Sequence, residues 1–283
     1  MPITRRQLGR LTLAAAASPL LEAKINPMYK GVKLGVQSYS FRDRSLDEAI
    51  AAMKQIGLGT VEMYQGHLEP KGVKRDELRQ WRTTVDLKEF TAARKKFDAA
   101  GIELYAYNYS FKDDFSDEEM DRGFKMAQAL GVKIMTASAN VTTAKRIDAL
   151  ASKYKIKVGM HNHSNLKPNE FARAEDFVAA MRGNSEYIAI NFDIGHFTAA
   201  NFDAVDYLSK HYERIVTLHI KDRKKNQGDN VVFGTGDTPI KAVLKFLQDK
   251  KLKIPANIEY EYKGADTVAE VAKCLAYLKS SLA

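Results

Sequence analysis

Cysteine and long hydrophobic runs are almost absent from this 283-residue sequence. Its one cysteine, Cys274, cannot form a disulfide within the chain, and it lies in an amphipathic stretch where a buried, unreactive thiol is expected. A membrane-spanning helix needs about 20 consecutive apolar residues, and no segment reaches that length, so we expect no stable membrane association. No low-complexity tract or shift in composition marks a second domain. The length therefore fits one α/β domain of about 250 residues.

The N-terminal residues are similar to a twin-arginine export signal. Arg5 and Arg6 stand in a Thr-Arg-Arg-Gln-Leu sequence, and a short alanine-rich apolar run follows over residues 11–21. This arrangement predicts cleavage near Ala23 and a periplasmic location. The alternative is a frayed N-terminal helix with two chance arginines. The predicted division is a signal peptide at residues 1–23 and a single barrel domain at residues 24–283.

The chain carries a net charge of +9, of which residues 1–23 contribute +2 through three arginines and one glutamate. The remaining +7 is compatible with an anionic ligand or with nucleic acid, but it gives no information about the fold. Basic side chains are scattered along the sequence and form no long tract. We therefore expect most of them on the solvated surface.

From residue 32 onward, short apolar segments of strand character alternate with amphipathic helical segments. This alternation is typical of βα units around a parallel sheet, and eight units predict a (β/α)8 TIM barrel. One connection, residues 65–84, is long and polar and contains Trp81, so we expect a functional loop such as a lid. The predicted strands are residues 32–39, 60–64, 102–107, 132–137, 155–161, 188–193, 215–220 and 256–261.

Chemically active side chains stand at or just after the ends of the last four predicted strands. A barrel of this type carries its reactive groups at these ends, so we expect the side chains to meet in one pocket. They are His161 and His163 at the fifth strand, Asp193 and His196 at the sixth, His219 and Lys221 at the seventh, and Glu259 and Glu261 at the eighth.

Four of these residues, His161, Asp193, His219 and Glu259, make a candidate ligand set for one divalent metal ion. Imidazole and carboxylate ligands, with no second cysteine to compete, favour Mn²⁺, Zn²⁺, Co²⁺ or Fe²⁺. For His161 the alternative of a hydrogen-bonded core residue stays open.

At these residues the chain resembles the xylose-isomerase-like barrel superfamily, which includes sugar isomerases and epimerases, inosose dehydratases and endonuclease IV. The resemblance covers nearly all of residues 24–283 and implies that Asp193, His219 and Glu259 are metal ligands. Its motifs, in chain order, are Val61-Glu62, Asp193-x-x-His196, Leu218-His219-Ile220-Lys221-Asp222, Gly234-x-Gly236-Asp237 and Ile258-Glu259-Tyr260-Glu261.

The fifth strand departs from the commonest pattern of that superfamily. Its sugar epimerases carry a glutamate where this chain has His161, and that glutamate and the strand-eight glutamate flank the substrate carbon. With histidine at this position, the resemblance favours a metal-assisted isomerase, or a lyase or dehydratase acting on inososes or 3-keto-glycosides. The candidate catalytic residues are Glu259, His163, His196 and Glu261.

Four further residues are candidates for substrate binding, each with an alternative. Glu62 either binds substrate or pairs with a group on the first strand, and Lys221 either stabilises a substrate oxyanion or is a solvated lysine. Tyr39 and Tyr64 either contact a sugar or pack at the strand ends. The three tyrosines at 105, 107 and 109 are expected to pack in the core.

Two other classes of function compete with a sugar-converting enzyme. A DNA-repair enzyme like endonuclease IV requires further histidines for its zinc cluster, whereas this chain has six in all and none in residues 222–237. A barrel that binds sugar without converting it is the other alternative. We expect a small-molecule sugar or keto-sugar as the partner and no nucleic acid, and we leave a homodimer open.

Overall fold

The computed structural model describes residues 23–283, so the predicted twin-arginine motif lies outside the described residues. In chain order the strands are β1 (Met28–Tyr29), β2 (Val32–Gln37), β3 (Thr60–Tyr64), β4 (Glu103–Asn108), β5 (Ile134–Ala137), β6 (Lys157–His161), β7 (Ile188–Asp193), β8 (Ile215–Ile220), β9 (Asp222–Arg223), β10 (Asn230–Val231) and β11 (Ala256–Ile258). The helices are α1 (Leu46–Ile56), α2 (Arg75–Thr84), α3 (Lys88–Ala99), α4 (Asp117–Ala129), α5 (Ala144–Tyr154), α6 (Ala174–Met181), α7 (Ile194–Ala199), α8 (Ala204–His211), α9 (Ile240–Asp249) and α10 (Thr267–Ser281).

Eight parallel strands close into a barrel, which confirms the predicted fold class. Strands β2 to β8 follow one another in chain order around the barrel. β11 closes the barrel by pairing with both β8 and β2. β1 adds a short antiparallel pairing to β2, and β9 and β10 form a separate hairpin after β8. The register aligns Asp193 of β7 with His219 of β8, and His219 with Asn257 of β11. Residues on neighbouring strands therefore reach the same level at the mouth of the barrel.

The strands are apolar in sequence because they are buried on both faces. All six residues of β7 are buried, because helices cover the outside of the barrel and side chains fill its inside. Tyr107 and Tyr109 are fully buried and form an aromatic group with Phe90 and Phe111, so their predicted packing role is confirmed. Cys274 is buried as expected, and burial raises its pKa to about 12.

Local signals fix several element boundaries. α1 begins after Ser45, whose side chain accepts from the backbone of Glu48 while the Glu48 carboxylate accepts from the Ser45 backbone. It ends at Gly57, which has a φ of 83° and so adopts the left-handed conformation that favours glycine. β3 and β8 match their predicted bounds. No helix in the described part of the chain is long and apolar enough to cross a membrane.

The expectation of a lid-like loop at residues 65–84 is wrong. The segment forms a short 3₁₀ turn and then α2, which packs on α4. The buried guanidinium of Arg82 pairs with Glu69 at 2.7 Å and with Glu119 at 2.8 Å. Trp81 packs against Phe90 at 6.3 Å between ring centroids. Ion pairs hold this helix in place. A helix held by charged side chains has little apolar periodicity in its sequence, so the sequence did not indicate it.

Candidate metal centre

A cavity of about 270 Å³ lies at the C-terminal ends of the barrel strands, where the sequence predicted the site. All eight residues predicted at the strand ends lie in or beside this cavity, with Asp193 fully buried next to it. The cavity is lined by Gln37, Tyr39, Tyr64, Asn108, Ser110, Ser138, His161, His163, His196, His219, Lys221, Glu259 and Glu261.

The four residues predicted as metal ligands come together. His161, Asp193, His219 and Glu259 are all buried, and each offers one ligand atom within 4.8 Å of the others. They come from four adjacent strands or strand ends, β6, β7, β8 and β11, because the barrel order places these strands side by side. The spacing between the atoms suits ligands that surround a single ion.

The hydrogen-bonding pattern of these four residues fits a metal ion. His161 Nδ1, Asp193 Oδ2, His219 Nδ1 and Glu259 Oε2 are all buried, and the last three make ion-pair contacts with one another or with Lys221. His161 Nδ1 has no hydrogen-bond partner among the described residues, whereas buried polar atoms in folded proteins are almost always paired. A mixed set of imidazole and carboxylate donors is suited to a divalent cation such as Zn²⁺ or Mn²⁺.

Asp193 is positioned by its place at the end of β7. Its Oδ1 atom accepts from the backbone N–H of His196 at 2.7 Å and so caps α7, which leaves Oδ2 directed elsewhere. The side chain of Asn162 clamps the Asp193 backbone through two hydrogen bonds. Complete burial raises the pKa of Asp193 to about 6 despite the nearby ammonium of Lys221.

Glu62 lies behind His219 and supports it. The Glu62 carboxylate is fully buried and accepts from Gln37, Thr136 and His219 at 2.5, 2.5 and 2.9 Å. With its oxygens occupied by protein groups, it is not part of the cavity lining. These contacts favour the alternative role for Glu62, a pairing with the first barrel strand, where Gln37 lies. A carboxylate on the outer nitrogen of a ligand histidine orients the ring.

Lys221 is buried among carboxylates and is not a solvated lysine. Its ammonium lies 3.1 Å from Asp193 Oδ2, 2.8 Å from Glu259 Oε2 and 2.5 Å from Glu261 Oε2. Burial alone disfavours the charged form, but the three carboxylates raise the pKa of Lys221 well above its ordinary value. Three carboxylates around one ammonium leave negative charge that a divalent ion would balance.

The passage of Lys221 across α7 requires the glycine in the Asp-Ile-Gly-His sequence. A Cβ atom at Gly195 would lie 2.3 Å from Lys221 Cγ and 2.7 Å from its carbonyl oxygen. Any larger residue would displace Lys221. The glycine therefore sets how closely α7 and the end of β8 approach each other.

Burial and charge hold two residues of the ligand set in definite protonation states. Burial, followed by His219 and His163, lowers the pKa of His161 well below its ordinary value, so its ring is neutral. Burial opposes ionisation of Glu259, but His219 and Lys221 hold its pKa well below the ordinary value. A neutral imidazole and an ionised carboxylate are the forms in which these groups bind a metal ion.

A second histidine group overlaps the first. His161, His163 and His196 also bring one ligand atom each within 4.8 Å. His196, however, faces Lys221 Nζ at 3.0 Å on one nitrogen and Arg223 Nη1 at 2.7 Å on the other. Two cations beside this ring disfavour a metal ion there, so the set that contains Asp193 and Glu259 is the better metal site.

The two predicted tyrosines lie at the cavity and also pack on each other. Tyr39 and Tyr64 meet edge to face at 5.0 Å between ring centroids, and the guanidinium of Arg42 lies 4.6 Å from the Tyr39 ring centroid. Both line the cavity, so their place fits a sugar contact as well as packing. Partial burial raises the pKa of Tyr64, which keeps its hydroxyl protonated at neutral pH.

The two glycines of the Gly234-x-Gly236 motif lie in the loop after β9, where the backbone packs closely against Asp222. The buried carboxylate of Asp222 accepts from the backbone N–H groups of Gly234, Gly236 and Thr238. A Cβ atom at Gly236 would lie 2.0 Å from Asp222 Oδ1. This motif therefore holds the loop in place.

Sequence reasoning missed several residues of the site: Gln37, Asn108, Ser110 and Ser138 line the cavity, and Asn257 and Arg223 contact residues around it. Asn257 donates to Thr217 at 2.9 Å and approaches Glu62 at 3.4 Å, and it lies two residues before Glu259, a spacing that could have indicated it. Arg223, two residues after Lys221, contacts His196 from the β9–β10 hairpin. No sequence signal marked that contact, because it depends on the fold of the hairpin.

Comparison with known proteins identifies the family. The model of the xylose isomerase-like TIM barrel family matches residues 50–280, and the chain belongs to this family. It is 23% identical over 263 residues to a probable L-ribulose-5-phosphate 3-epimerase of Mycoplasma pneumoniae, covering 86% of this chain and 79% of that protein. It is 23% identical over 196 residues to an inosose dehydratase of Salmonella typhimurium, but the match spans only 58% of each protein.

A solved structure is similar in fold. The IolI protein, crystallised with a bound zinc atom, superposes with a TM-score of 0.67 at 15% sequence identity. The match covers 90% of this chain and 98% of that one. At this identity the likeness shows the shared barrel fold.

Proposed function

We propose that the protein is a divalent-metal-dependent sugar isomerase that removes a proton from the carbon atom next to a carbonyl group. The observation that carries the proposal is the group of four buried ligand atoms, on His161, Asp193, His219 and Glu259, that lie within 4.8 Å of one another. Membership of the family and the two sugar-converting relatives support an enzyme. The small cavity, about 270 Å³, supports a small-molecule substrate such as a sugar or keto-sugar.

These four residues would hold one ion, and the ligand types favour Mn²⁺, Zn²⁺, Co²⁺ or Fe²⁺. When bound, the ion would polarise the substrate carbonyl and stabilise the negative charge that develops as the proton leaves. The zinc atom in the IolI structure, a barrel of similar fold, supports a metal ion as cofactor.

The proton transfers belong to side chains of the chain itself. Glu259 is ionised, because His219 and Lys221 hold its pKa low against the effect of burial, and its carboxylate can accept the proton from carbon. Glu261 and His163 both line the cavity and can move a second proton between substrate oxygens, as isomerisation requires. His163 is neutral at pH 7, since burial lowers its pKa to about 4. Lys221 lies within reach of the same cavity to stabilise an oxyanion.

The second candidate function is a lyase or dehydratase acting on an inosose or a 3-keto-glycoside. The feature that favours it is the buried, neutral ring of His161, at the position where the resemblance to sugar epimerases implies a second carboxylate base. Elimination needs one base at carbon and a donor for the leaving oxygen, which Glu259 and Lys221 can supply. The dehydratase relative supports this candidate.

The test is incubation in deuterated water with Mn²⁺ and a panel of aldoses, ketoses, inososes and 3-keto-glycosides. Deuterium uptake with migration of the carbonyl supports the isomerase, and uptake with loss of water or aglycone supports the lyase. Clean inversion at one carbon contradicts both. A protein that binds one ion but exchanges no deuterium into any of these compounds contradicts an enzyme and favours a sugar-binding barrel.

Two variants control this experiment. His219→Ala removes a proposed ligand and is expected to abolish exchange. His211→Ala removes the histidine that packs on Tyr207 at the end of α8, away from the metal centre, and is expected to leave exchange unchanged. Equal exchange rates in the two variants would exclude a role for the metal site.

We also propose that the protein is exported to the periplasm, on the sequence of residues 1–23 alone. The twin-arginine route carries folded proteins, which suits a domain that must bind its metal ion before it is exported.

A further inference from the structure

A second cleft meets the metal cavity at Glu261. The cleft has a volume of about 580 Å³ and lies between the β9–β10 hairpin and the segment that follows β11. It is lined by residues 229–232 and Thr235 on the hairpin side, and by residues 261–263 on the other side. Glu261 lines both the cleft and the metal cavity, and its side chain is 24% exposed. A ligand in the metal cavity can therefore extend past Glu261 into the cleft.

The metal cavity by itself is small for a ligand site. Its volume of about 270 Å³ lies just below the range of roughly 300–1,000 Å³ that is typical of small-molecule sites, whereas the volume of the cleft lies within that range. The two spaces together have room for a substrate of two rings. Only the first of these rings needs to contact the metal centre.

The hairpin side of the cleft is held in place by the fold. The Asp222 carboxylate accepts from the backbone N–H of Gly234 at 2.7 Å. Phe233 is buried and packs against Tyr277 of α10 at 6.1 Å between ring centroids. Its neighbour Val232 is 46% exposed and lines the cleft. The anchored hairpin therefore presents an apolar side chain to the cleft.

The polar groups of the cleft are suited to an uncharged ring that carries hydroxyl groups. Two carboxylates, on Asp229 and Glu261, line the cleft together with one ammonium, on Lys263, and this balance of charge disfavours a phosphate group. Carboxylates accept hydrogen bonds, which hydroxyl groups donate. Asn230 Oδ1 is a further acceptor, because it is buried and has no hydrogen-bond partner among the described residues. A turn of this amide toward the cleft would give it a hydroxyl partner. A ring with hydroxyl groups at its edge and C–H groups that can pack on Val232 is a sugar.

We propose that the cleft binds a second sugar ring, so that the substrate is an uncharged disaccharide with its reacting ring at the metal centre and its other ring against Val232. This inference rests on the proposed function for the reaction of the first ring, and it applies to isomerisation and to elimination alike. The β9–β10 hairpin, which lies outside the four-residue ligand set, then determines which substrates are preferred.

The test is titration calorimetry of the Zn²⁺-loaded protein with maltose, cellobiose, lactose and their 3-keto derivatives, each compared with its component monosaccharides. We expect at least one disaccharide to bind about tenfold or more tightly than either of its monosaccharides. In the double variant Asn230→Ala/Val232→Ser this advantage should be lost, while the affinity for monosaccharides stays unchanged. Val178→Ser is the matched control, since it alters an exposed valine of α6 that lines neither the cavity nor the cleft, and it should keep the advantage.

Three results would overturn the second binding site: no binding of any disaccharide, equal affinity for disaccharides and monosaccharides, or an advantage that the double variant retains. The proposed function is judged separately, by deuterium exchange in the same samples. A disaccharide advantage that depends on the cleft, without exchange into any sugar, contradicts the proposed function and supports the second site. Exchange into monosaccharides without a disaccharide advantage supports the proposed function and overturns the second site.

Discussion

The Oε2 atom of Glu62 lies 2.9 Å from Nε2 of His219, while the other ring nitrogen, Nδ1, lies 3.0 Å from Glu259 Oε2. The ring is thus fixed from behind, with Nδ1 directed toward the other proposed ligands. Glu62 is held in turn by Gln37 of β2 and Thr136 of β5. The orientation of one ligand therefore depends on four strands that meet only because the barrel closes.

Glu62→Gln is expected to weaken metal binding without removing any ligand. Loss of an outer carboxylate from a ligand histidine typically lowers affinity about 10–100-fold. The measurement is competition for Zn²⁺ against a chelator of known affinity. Glu186→Gln, at an exposed ion pair with Lys157, is the control and should bind as the unmodified protein does. Unchanged affinity in a folded Glu62→Gln protein would show that Glu62 does not support the site.

Metal binding is expected to release protons near neutral pH. Burial favours the neutral ring of His219, but Glu259 and Glu62 raise its pKa well above the ordinary value, so the metal-free ring is protonated. An ion on Nδ1 must displace about one proton. Affinity should therefore fall as the pH is lowered below that raised pKa and level off above it. Titration calorimetry in two buffers of different ionisation enthalpy at pH 7 counts the protons, and equal heats in both buffers would contradict the assignment.

Arg82 is expected to be important for stability although it lies outside the site. Arg82→Met removes the guanidinium that Glu69 and Glu119 share, although Arg75 still contacts Glu119 at 2.7 Å. Breaking a buried pair costs up to about 3–5 kcal/mol. Lys245→Met, on α9 with a side chain 70% exposed and paired with the exposed Asp249, should cost less than about 1 kcal/mol. Denaturant unfolding of both variants is the measurement. Equal losses would mean that the Arg82 network does not hold α2.

The N-terminal assignment can be tested in cells. Replacing Arg5 and Arg6 together with lysine should trap the precursor in the cytoplasm, because the twin-arginine route reads that pair. Cell fractionation followed by detection of the protein measures the effect. Replacing Arg10 with lysine is the control. Unchanged periplasmic accumulation of the double variant would mean that the segment is not a twin-arginine signal.

The barrel and the grouping of the four candidate ligand residues could be predicted because they depend on local patterns. Ser45 and Gly57 mark the ends of α1 by their own conformations and hydrogen bonds. Successive side chains point to opposite faces of a strand. The face of a histidine or carboxylate at a strand end can therefore be predicted without knowing its partners. The resemblance to the family then gave the same positions, Asp193, His219 and Glu259.

The parts that were missed depend on contacts between distant segments. α2 is a polar helix whose place is set by Arg82 and Glu119, which are 37 positions apart. The role of Glu62 became clear only once the barrel brought it against His219, 157 positions away. Arg223 reaches His196 because its guanidinium donates to the carbonyl oxygen of Gly228 in the hairpin turn, which holds it in position. No local pattern reports such pairings.

The most direct test of the metal centre is a crystal structure of the Zn²⁺- or Mn²⁺-loaded protein with anomalous diffraction measured at the metal edge. We predict one peak per chain, at about 2.0–2.3 Å from ligand atoms of His161, Asp193, His219 and Glu259, with Glu62 still hydrogen-bonded to His219. A fully loaded crystal with no peak among these residues, and with Lys221 alone joining Asp193 and Glu259, would contradict the account.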